Sequence, residues 1–124
     1  MSRPMAEADD RLERFSEICL SLPKTKREVS SPHAIFTVNK KVFAYFVSNH
    51  HGDGIIAINC KVPPGENTAL IASQPKRFYM PAYIGPRGWV GLRLDVGRIS
   101  WNEVKELTRC SYELVSKKRL PVGD

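Results

Sequence analysis

Three β-type runs follow one another in the first half of the chain, and only turn-forming residues separate them. The run HAIFTVNKKVFAYFVSN (33–49) is rich in β-branched and aromatic residues, with Asn39 and Lys40 placed to turn one strand into the next. NHHGDG (49–54) supplies the next turn, and the nearly continuous apolar character of IIAINCKV (55–62) indicates a strand buried on both faces. Hairpin connections of this kind predict an antiparallel sheet.

Helical patterns precede and follow these strands. Before them an apolar stripe recurs at helical spacing and ends at Pro23; its residues are Leu12, Phe15, Ile18, Cys19 and Leu22. ENTALIASQP (66–75) predicts a short second helix after a Pro-Pro-Gly break. Ser100 and Glu103 form a capping box that begins a third helix. The buried stripe of this third helix consists of Val104, Leu107, Ser111 and Leu114.

Two more strands are predicted between the second and third helices. RFYM (77–80) is short, whereas WVGLRLD (89–95) alternates in a way that is typical of a half-exposed strand. One face would carry Val90, Leu92 and Leu94, and the other Trp89, Gly91, Arg93 and Asp95. The preceding GPRG (85–88) shapes a tight turn that places Arg87 at an exposed apex.

The predicted element order is therefore α-β-β-β-α-β-β-α, without βαβ alternation. This order predicts an α+β sandwich in which helices cover an antiparallel sheet. The 124 residues suit a single domain, 1–124, because a chain of this length can bury one core but not two.

Charge and cysteine content narrow the class of protein. The formal net charge of +6 attracts polyanions such as nucleic acid without specifying one. MSRPMAEADDRLERF contains no apolar signal segment and the chain has no long apolar run, so we expect a cytoplasmic protein. Cys19, Cys60 and Cys110 are widely spaced and lack a C-x-x-C motif, which predicts reduced core thiols rather than a disulfide framework or zinc knuckle.

No residue pattern in the chain is typical of a catalytic or cofactor site. His50, His51 and Asp53 share one turn, but their spacing is poor for a metal, and a solvated turn is the favoured interpretation. The cysteines lie on apolar faces rather than beside a base. We therefore expect neither enzymatic activity nor a bound metal or cofactor.

Basic residues recur at turns and element ends, where cations can contact a phosphate backbone. They are Lys40 and Lys41 at a hairpin tip, Lys76 and Arg77 before the fourth strand, Arg87 before the fifth, and Lys117, Lys118 and Arg119 ending the last helix. Trp89, Tyr79 or Tyr83 could stack on bases. Solubility and the helix dipole also favour cations at these places, and Trp89 could simply cover the sheet.

The chain resembles the MmcQ/YjbR family of small bacterial proteins. The resemblance lies in HAIF...KVFAYF, NHHGDG, CKVPPGE, RFYMPAYIGPRGWVGLRLD and W-x-E-V...SYELV...KRL. It implies an α-β(3)-α-β(2)-α sandwich similar to type III secretion chaperones, and DNA binding through β-hairpin wings, here Lys40 and Lys41 with Arg87 and Trp89. Some members carry a histidine and an asparagine-lysine pair before the tryptophan, where this chain has Ile84, Gly85 and Pro86.

Two functions remain open at this point. The leading one is a non-enzymatic DNA-binding protein whose affinity comes from phosphate contacts. The competing one is a chaperone-like module that holds a protein or peptide partner on an exposed sheet face or groove. Alternation would place Phe43, Tyr45 and Trp89 on that one sheet surface.

Overall fold

The computed structural model describes residues 4–30, 33–49 and 54–120; within these ranges, side chains are described from Asp10 onward, except that of Ser30. The helices are α1 (Pro4–Leu20), α2 (Glu66–Ser73) and α3 (Trp101–Ser116). The strands are β1 (Thr25–Ser30), β2 (His33–Val38), β3 (Lys41–Ser48), β4 (Ile56–Lys61), β5 (Phe78–Tyr79) and β6 (Trp89–Arg93). They form one antiparallel sheet in the order β1-β2-β3-β4-β6-β5. The α+β class predicted from the sequence is confirmed.

The sheet contains one strand more than the sequence pattern predicts. β1 occupies TKREVS, within a stretch that has the polar character of a loop. It forms because its backbone pairs with β2 along its whole length, from Thr25 opposite Val38 to Ser30 opposite His33. β1 is an edge strand, where charged side chains are common because they discourage pairing with other chains.

The β2–β3 connection is the predicted two-residue turn. Asn39 and Lys40 both adopt left-handed backbone conformations, with φ of 52° and 68°, and Val38 pairs directly with Lys41. Successive positive φ angles give the turn the twist that a tight hairpin needs. Lys40 and Lys41 are both exposed at this tip.

A β-bulge interrupts β3 immediately after the turn. Phe36 pairs with Ala44, but Thr37 pairs with Val42, so Phe43 is an extra residue in the ladder. Phe43 and Ala44 are both fully buried, and the Phe43 ring meets Tyr112 edge-on at 5.5 Å. The prediction that Phe43 shares a surface with Tyr45 is therefore wrong, because the bulge reverses the alternation of side chains.

Helices α1 and α3 cover one face of the sheet. Phe15 of α1 packs edge-on against Phe36, with ring centroids 5.4 Å apart, and also contacts Phe46. From α3, Val104 and Tyr112 are buried in the same core. The Ser100 hydroxyl accepts the Glu103 amide hydrogen at the start of α3, which confirms the Ser100 half of the predicted capping box. The Glu103 carboxylate pairs with Arg77 instead. None of the described helices is both long and apolar enough to cross a membrane.

Ser111 joins α3 to the sheet at the bulge. Its fully buried hydroxyl donates to the Phe43 carbonyl at 2.6 Å and accepts from the Lys61 amide at 2.8 Å. Ala44 and Cys60 form the neighbouring rung of the β3–β4 ladder. The hydroxyl thus bridges Phe43 and Lys61 just beyond the last rung of the β3–β4 ladder, beside the bulge.

The sequence alternation of β6 predicts that one of its two faces is exposed to solvent. In the structure, other side chains cover that face around Trp89 and Gly91. Trp89 is 8% exposed and Gly91 is buried. The Tyr79 ring of β5 lies over Gly91, and its hydroxyl donates to Asn59 Oδ1 at 3.0 Å. Only a residue without a side chain leaves room for this ring, so β6 is buried on both faces at that point.

The cysteines are free thiols, and two of them belong to the core. Cys19 and Cys60 are fully buried, whereas Cys110 is half-buried. Burial raises the pKa of Cys60 to about 12, despite a hydrogen bond with Thr108 that acts in the opposite direction. Burial, together with the nearby Cys60, also raises the pKa of Cys19. Both thiols are therefore protonated and shielded at neutral pH.

Substitution Ser111→Ala should lower the free energy of unfolding by about 2 kcal/mol, because the Phe43 carbonyl and the Lys61 amide lose their shared partner. Chemical denaturation measures this change. Ser116→Ala is the matched control, since its hydroxyl contacts only the exposed Lys118 amide and should cost less than about 0.5 kcal/mol. Equal losses in the two variants would contradict this account of the bulge.

Substitution Gly91→Ala should destabilise the fold by about 1–3 kcal/mol, because the added methyl group meets the Tyr79 ring. Thermal and chemical denaturation would show the loss. In a Tyr79→Leu background the same change should cost clearly less, since the ring is removed. An unchanged cost in that background would show that something other than the ring excludes a side chain.

Thiol-specific labelling tests the assignment of the cysteines. With the native protein at pH 7.5, Cys19 and Cys60 should react at least about a hundredfold more slowly than in denaturant, because each is buried and protonated. Mass spectrometry of the labelled peptides identifies the modified residue. Rapid labelling of Cys60 in the native protein would be inconsistent with its buried position.

Candidate nucleic-acid interface

Strand directions bring several basic residues to one end of the sheet. β3 begins at Lys41, β4 ends at Lys61 and β6 begins at Trp89, two residues after Arg87. Because these strands are antiparallel neighbours, the three termini lie side by side. Two strand spacings, or about 10 Å, separate the backbones of β3 and β6. The hairpin tip and the Arg87 turn, predicted as separate contacts, therefore belong to the same end.

The carboxyl end of α3 reaches the same place. Ser111 contacts both β3 and β4 near their termini, and Leu114, one turn further, lies in a cleft with Lys61 and Arg87. Lys117, with a left-handed φ of 61°, caps the helix about one turn beyond Leu114. Lys118 follows it and is also exposed. Lys117 and Lys118, both predicted as contact residues, therefore lie at the same end of the sheet as the cations of the strands.

We call this collection of cations the basic end. Its members are Lys24, Lys40, Lys41, Lys61, Arg87, Lys117, Lys118 and Arg119. Lys61 is half-buried and the others are exposed. Lys24 was missed in the sequence because β1, which it precedes, was not predicted. Lys61 was missed because only the antiparallel order of β4 and β6 places it beside Arg87.

Lys76 and Arg77 lie at the opposite end of the sheet. Phe78 pairs with Leu92 near the carboxyl end of β6, and the Arg93 amide donates to the Arg77 carbonyl at 2.8 Å. The Arg77 guanidinium is hydrogen-bonded to Glu103 and Gln74. The eight predicted contact residues therefore do not form a single surface, and these two are separated from the rest.

Carboxylates are paired with arginines away from the basic end. The ion pairs that link described residues are Arg27–Glu13, Arg77–Glu103 and Arg93–Asp95. Burial works against ionisation of Asp95, but hydrogen bonds from Arg93 and from the Ile56 amide outweigh it and lower the pKa of the carboxyl group. Within the described ranges, no ion pair includes a cation of the basic end, so their charges are available to a ligand.

The turn that presents Arg87 is held firmly. Gly85–Arg87 forms a single 3-10 turn, and Gly88 follows in a left-handed conformation with φ of 97°. The buried Asn67 amide donates to the Gly85 carbonyl at 2.9 Å and to the Trp89 carbonyl at 3.1 Å. α2 therefore fixes both sides of the turn, and Arg87 is exposed at its apex as predicted.

The predicted aromatic contacts differ in exposure. The Trp89 ring packs against Tyr45, with centroids 5.4 Å apart, and little of it is accessible to a ligand. It covers the sheet, which was the alternative role considered for this residue. Tyr79 lies over Gly91. Tyr83 is 88% exposed in the loop before the Arg87 turn and is the aromatic residue most open to solvent among those predicted.

A cleft opens beside Arg87 at the basic end. It has a volume of about 540 Å³ and lies between the end of β4, the start of α2, the Arg87 turn and the last turns of α3. Its lining residues are Lys61, Val62, Pro64, Gly65, Asn67, Pro86, Arg87, Gly88 and Leu114. Both charged residues among them are cations.

The described residues contain no group of three or more histidine, cysteine or acidic side chains arranged to hold a metal ion. His33 Nδ1 accepts a hydrogen bond from the Ser48 amide at 3.3 Å, between neighbouring parts of the β2–β3 hairpin. The turn of His50, His51 and Asp53, considered above as a weak metal site, lies outside the described residues.

Comparisons with known proteins agree with this fold. The structure is similar to the crystal structure of Deinococcus radiodurans protein DR2400, family-model domain DUF419, with TM-score 0.70 and 22% identity over 90% of this chain and 82% of that one. A structural-genomics protein from Pseudomonas syringae gives TM-score 0.62 and 20% identity, over 83% of this chain and 97% of that one. A search of curated proteins finds no match.

The sequence resemblance is also confirmed. A family model described as YjbR matches residues 20–114, which include the whole sheet and nearly all of α3. This match covers most of the chain and contains the motifs on which the resemblance was based, except the last residue of SYELV and the KRL that follows. The chain belongs to the MmcQ/YjbR family.

Proposed function

We propose that this protein is a non-enzymatic, cytoplasmic DNA-binding protein whose basic end contacts the phosphate backbone. One observation carries the proposal: cations from separate segments, at the β2–β3 tip, the end of β4, the Arg87 turn and the end of α3, converge at one end of the sheet. Phosphate groups recur at regular intervals along each strand of DNA. A protein surface with several spaced cations can therefore contact several phosphates at once.

Contacts to phosphate rather than to bases determine how sequence and salt should affect DNA binding. Lysine and arginine contacts to phosphate position a protein on DNA but carry no direct information about base sequence. Trp89 is largely buried and is left out of the proposed contacts. We therefore expect little sequence preference and a strong dependence of affinity on salt.

The helix dipole offers another explanation for only some of these cations. Lys117 caps α3 and Lys24 follows α1, so both lie where a positive charge stabilises a helix carboxyl end. Lys40 and Lys41 belong to a hairpin tip, and Arg87 ends a single 3-10 turn. Their charges have no comparable structural role, which favours a ligand for the end as a whole.

Fluorescence anisotropy with a labelled duplex at several salt concentrations tests the proposal. The logarithm of the affinity should fall linearly with the logarithm of salt concentration. Lys40→Ala and Arg87→Ala should each weaken binding about threefold to tenfold for every sequence tried, and each should reduce the slope by about one. Absence of binding at about 50 mM salt would overturn the proposal.

Lys76→Ala is the matched control. Lys76 is exposed and cationic but lies at the opposite end of the sheet. Its removal changes the net charge by the same amount as Lys40→Ala, so a purely global effect of charge would weaken both variants equally. The proposal requires Lys76→Ala to bind nearly as well as the unmodified protein.

The alternative, a protein-interaction module, depends on the sheet face opposite α1 and α3. Ile35, Tyr45 and Val47 are half-exposed there, but Phe43 is not part of this face. Recovery of a defined protein partner that survives nuclease treatment and is lost in Tyr45→Ala, without any binding of DNA, would favour this function over the one proposed.

A further inference from the structure

The cleft beside Arg87 differs from the rest of the basic end because it is concave. Its volume of about 540 Å³ lies in the range of small-ligand sites. Lys61 and Arg87 contribute positive charge to the lining, and Val62, Pro64, Pro86 and Leu114 contribute apolar surface. A ligand that fits this lining has a compact anionic group attached to a flat or apolar body.

The walls of the cleft are held in place by hydrogen bonds. Pro63 and Glu66 close a β-turn, in which Gly65 has a φ of 86° and Pro64 precedes it, the arrangement of a type II turn. On the other side, the Val62 amide donates to the Gly88 carbonyl at 2.8 Å. Asn67 joins the two walls. The cleft is thus formed before any ligand arrives, which limits the entropic cost of binding.

We propose that this cleft binds the terminal phosphate of a nucleic-acid strand, with the adjoining sugar and base against the two prolines. This inference rests on the proposed function and assigns one particular site within it. A terminal phosphate is a monoester that carries a charge approaching −2 at neutral pH, whereas an internal diester carries −1. Two cations in one concave site therefore favour the monoester.

The shape of the cleft also favours a terminal phosphate over an internal one. An internal phosphate is flanked by sugars on both sides, so it suits an open surface such as the hairpin tip. A terminal phosphate has a single attached sugar and can enter a recess. Two acidic residues, Glu66 and Glu113, adjoin lining residues in the sequence but do not line the cleft. After the larger effect of burial, both raise the pKa of the half-buried Cys110 thiol.

Competition between matched oligonucleotides tests this site. The probes are a ten-nucleotide single strand with a 5′-phosphate and an eleven-nucleotide strand with a 5′-hydroxyl, which contain the same number of phosphates. The 5′-phosphorylated strand should bind about tenfold more tightly, the size expected of one additional charge-assisted contact. Equal binding of both strands would overturn the inference and leave the proposed function standing.

Variants separate the cleft from the open surface. Lys61→Ala should reduce the preference for the 5′-phosphate towards unity, and Pro64→Glu should do the same by placing a carboxylate in the cleft. Lys40→Ala should weaken both strands equally and retain the tenfold preference. A preference that persists in Lys61→Ala and Pro64→Glu would overturn the inference. Failure of both single strands to bind at low salt would also overturn it, whereas the proposed function is overturned only if the labelled duplex fails to bind.

Discussion

The hydroxyl of Ser111 is the contact on which the arrangement of this molecule most depends. It connects the third helix to β3 and β4 where their ladder ends, beside the bulge at Phe43 in the β2–β3 ladder. The same bulge turns Phe43 into the core, where its ring packs on Tyr112. Because the contact lies near the ends of the strands, it also brings the carboxyl end of the helix towards the β2–β3 turn. The position of the basic end thus follows from a buried hydrogen bond.

At the two ends of the sheet, the cationic side chains differ in whether they form ion pairs with carboxylates. At one end, Arg77 and Arg93 are bound to carboxylates and contribute to the fold. At the other, five lysines and two arginines are exposed, and no described carboxylate forms an ion pair with them. The formal net charge of +6 is therefore distributed unevenly, which the composition alone could not indicate. Membership of the family agrees with the fold, and the proposed function rests on this distribution of charge.

The local features of this fold could be predicted from the sequence, and the features created by pairing could not. The Asn39–Lys40 turn and the Ser100 cap depend on a few adjacent residues, and both were predicted correctly. β1 has no apolar alternation, since its structure comes from the neighbouring strand. Strand periodicity could not reveal the bulge, because it is a departure from that periodicity. Lys61 was not predicted as a contact because only the pairing of β4 with β6 places it beside Arg87.

Three lysines of the basic end, Lys24, Lys40 and Lys117, have left-handed backbone conformations, with φ of 62°, 68° and 61°. Glycine adopts such angles without penalty, whereas a residue with a Cβ atom pays roughly 1 kcal/mol for each. A chain optimised only for ease of folding would place glycine at these positions. The lysine side chains that occupy them are therefore retained against a conformational preference, which the dipoles of the adjacent helices offset for Lys24 and Lys117 and which the proposed phosphate contact would offset for Lys40.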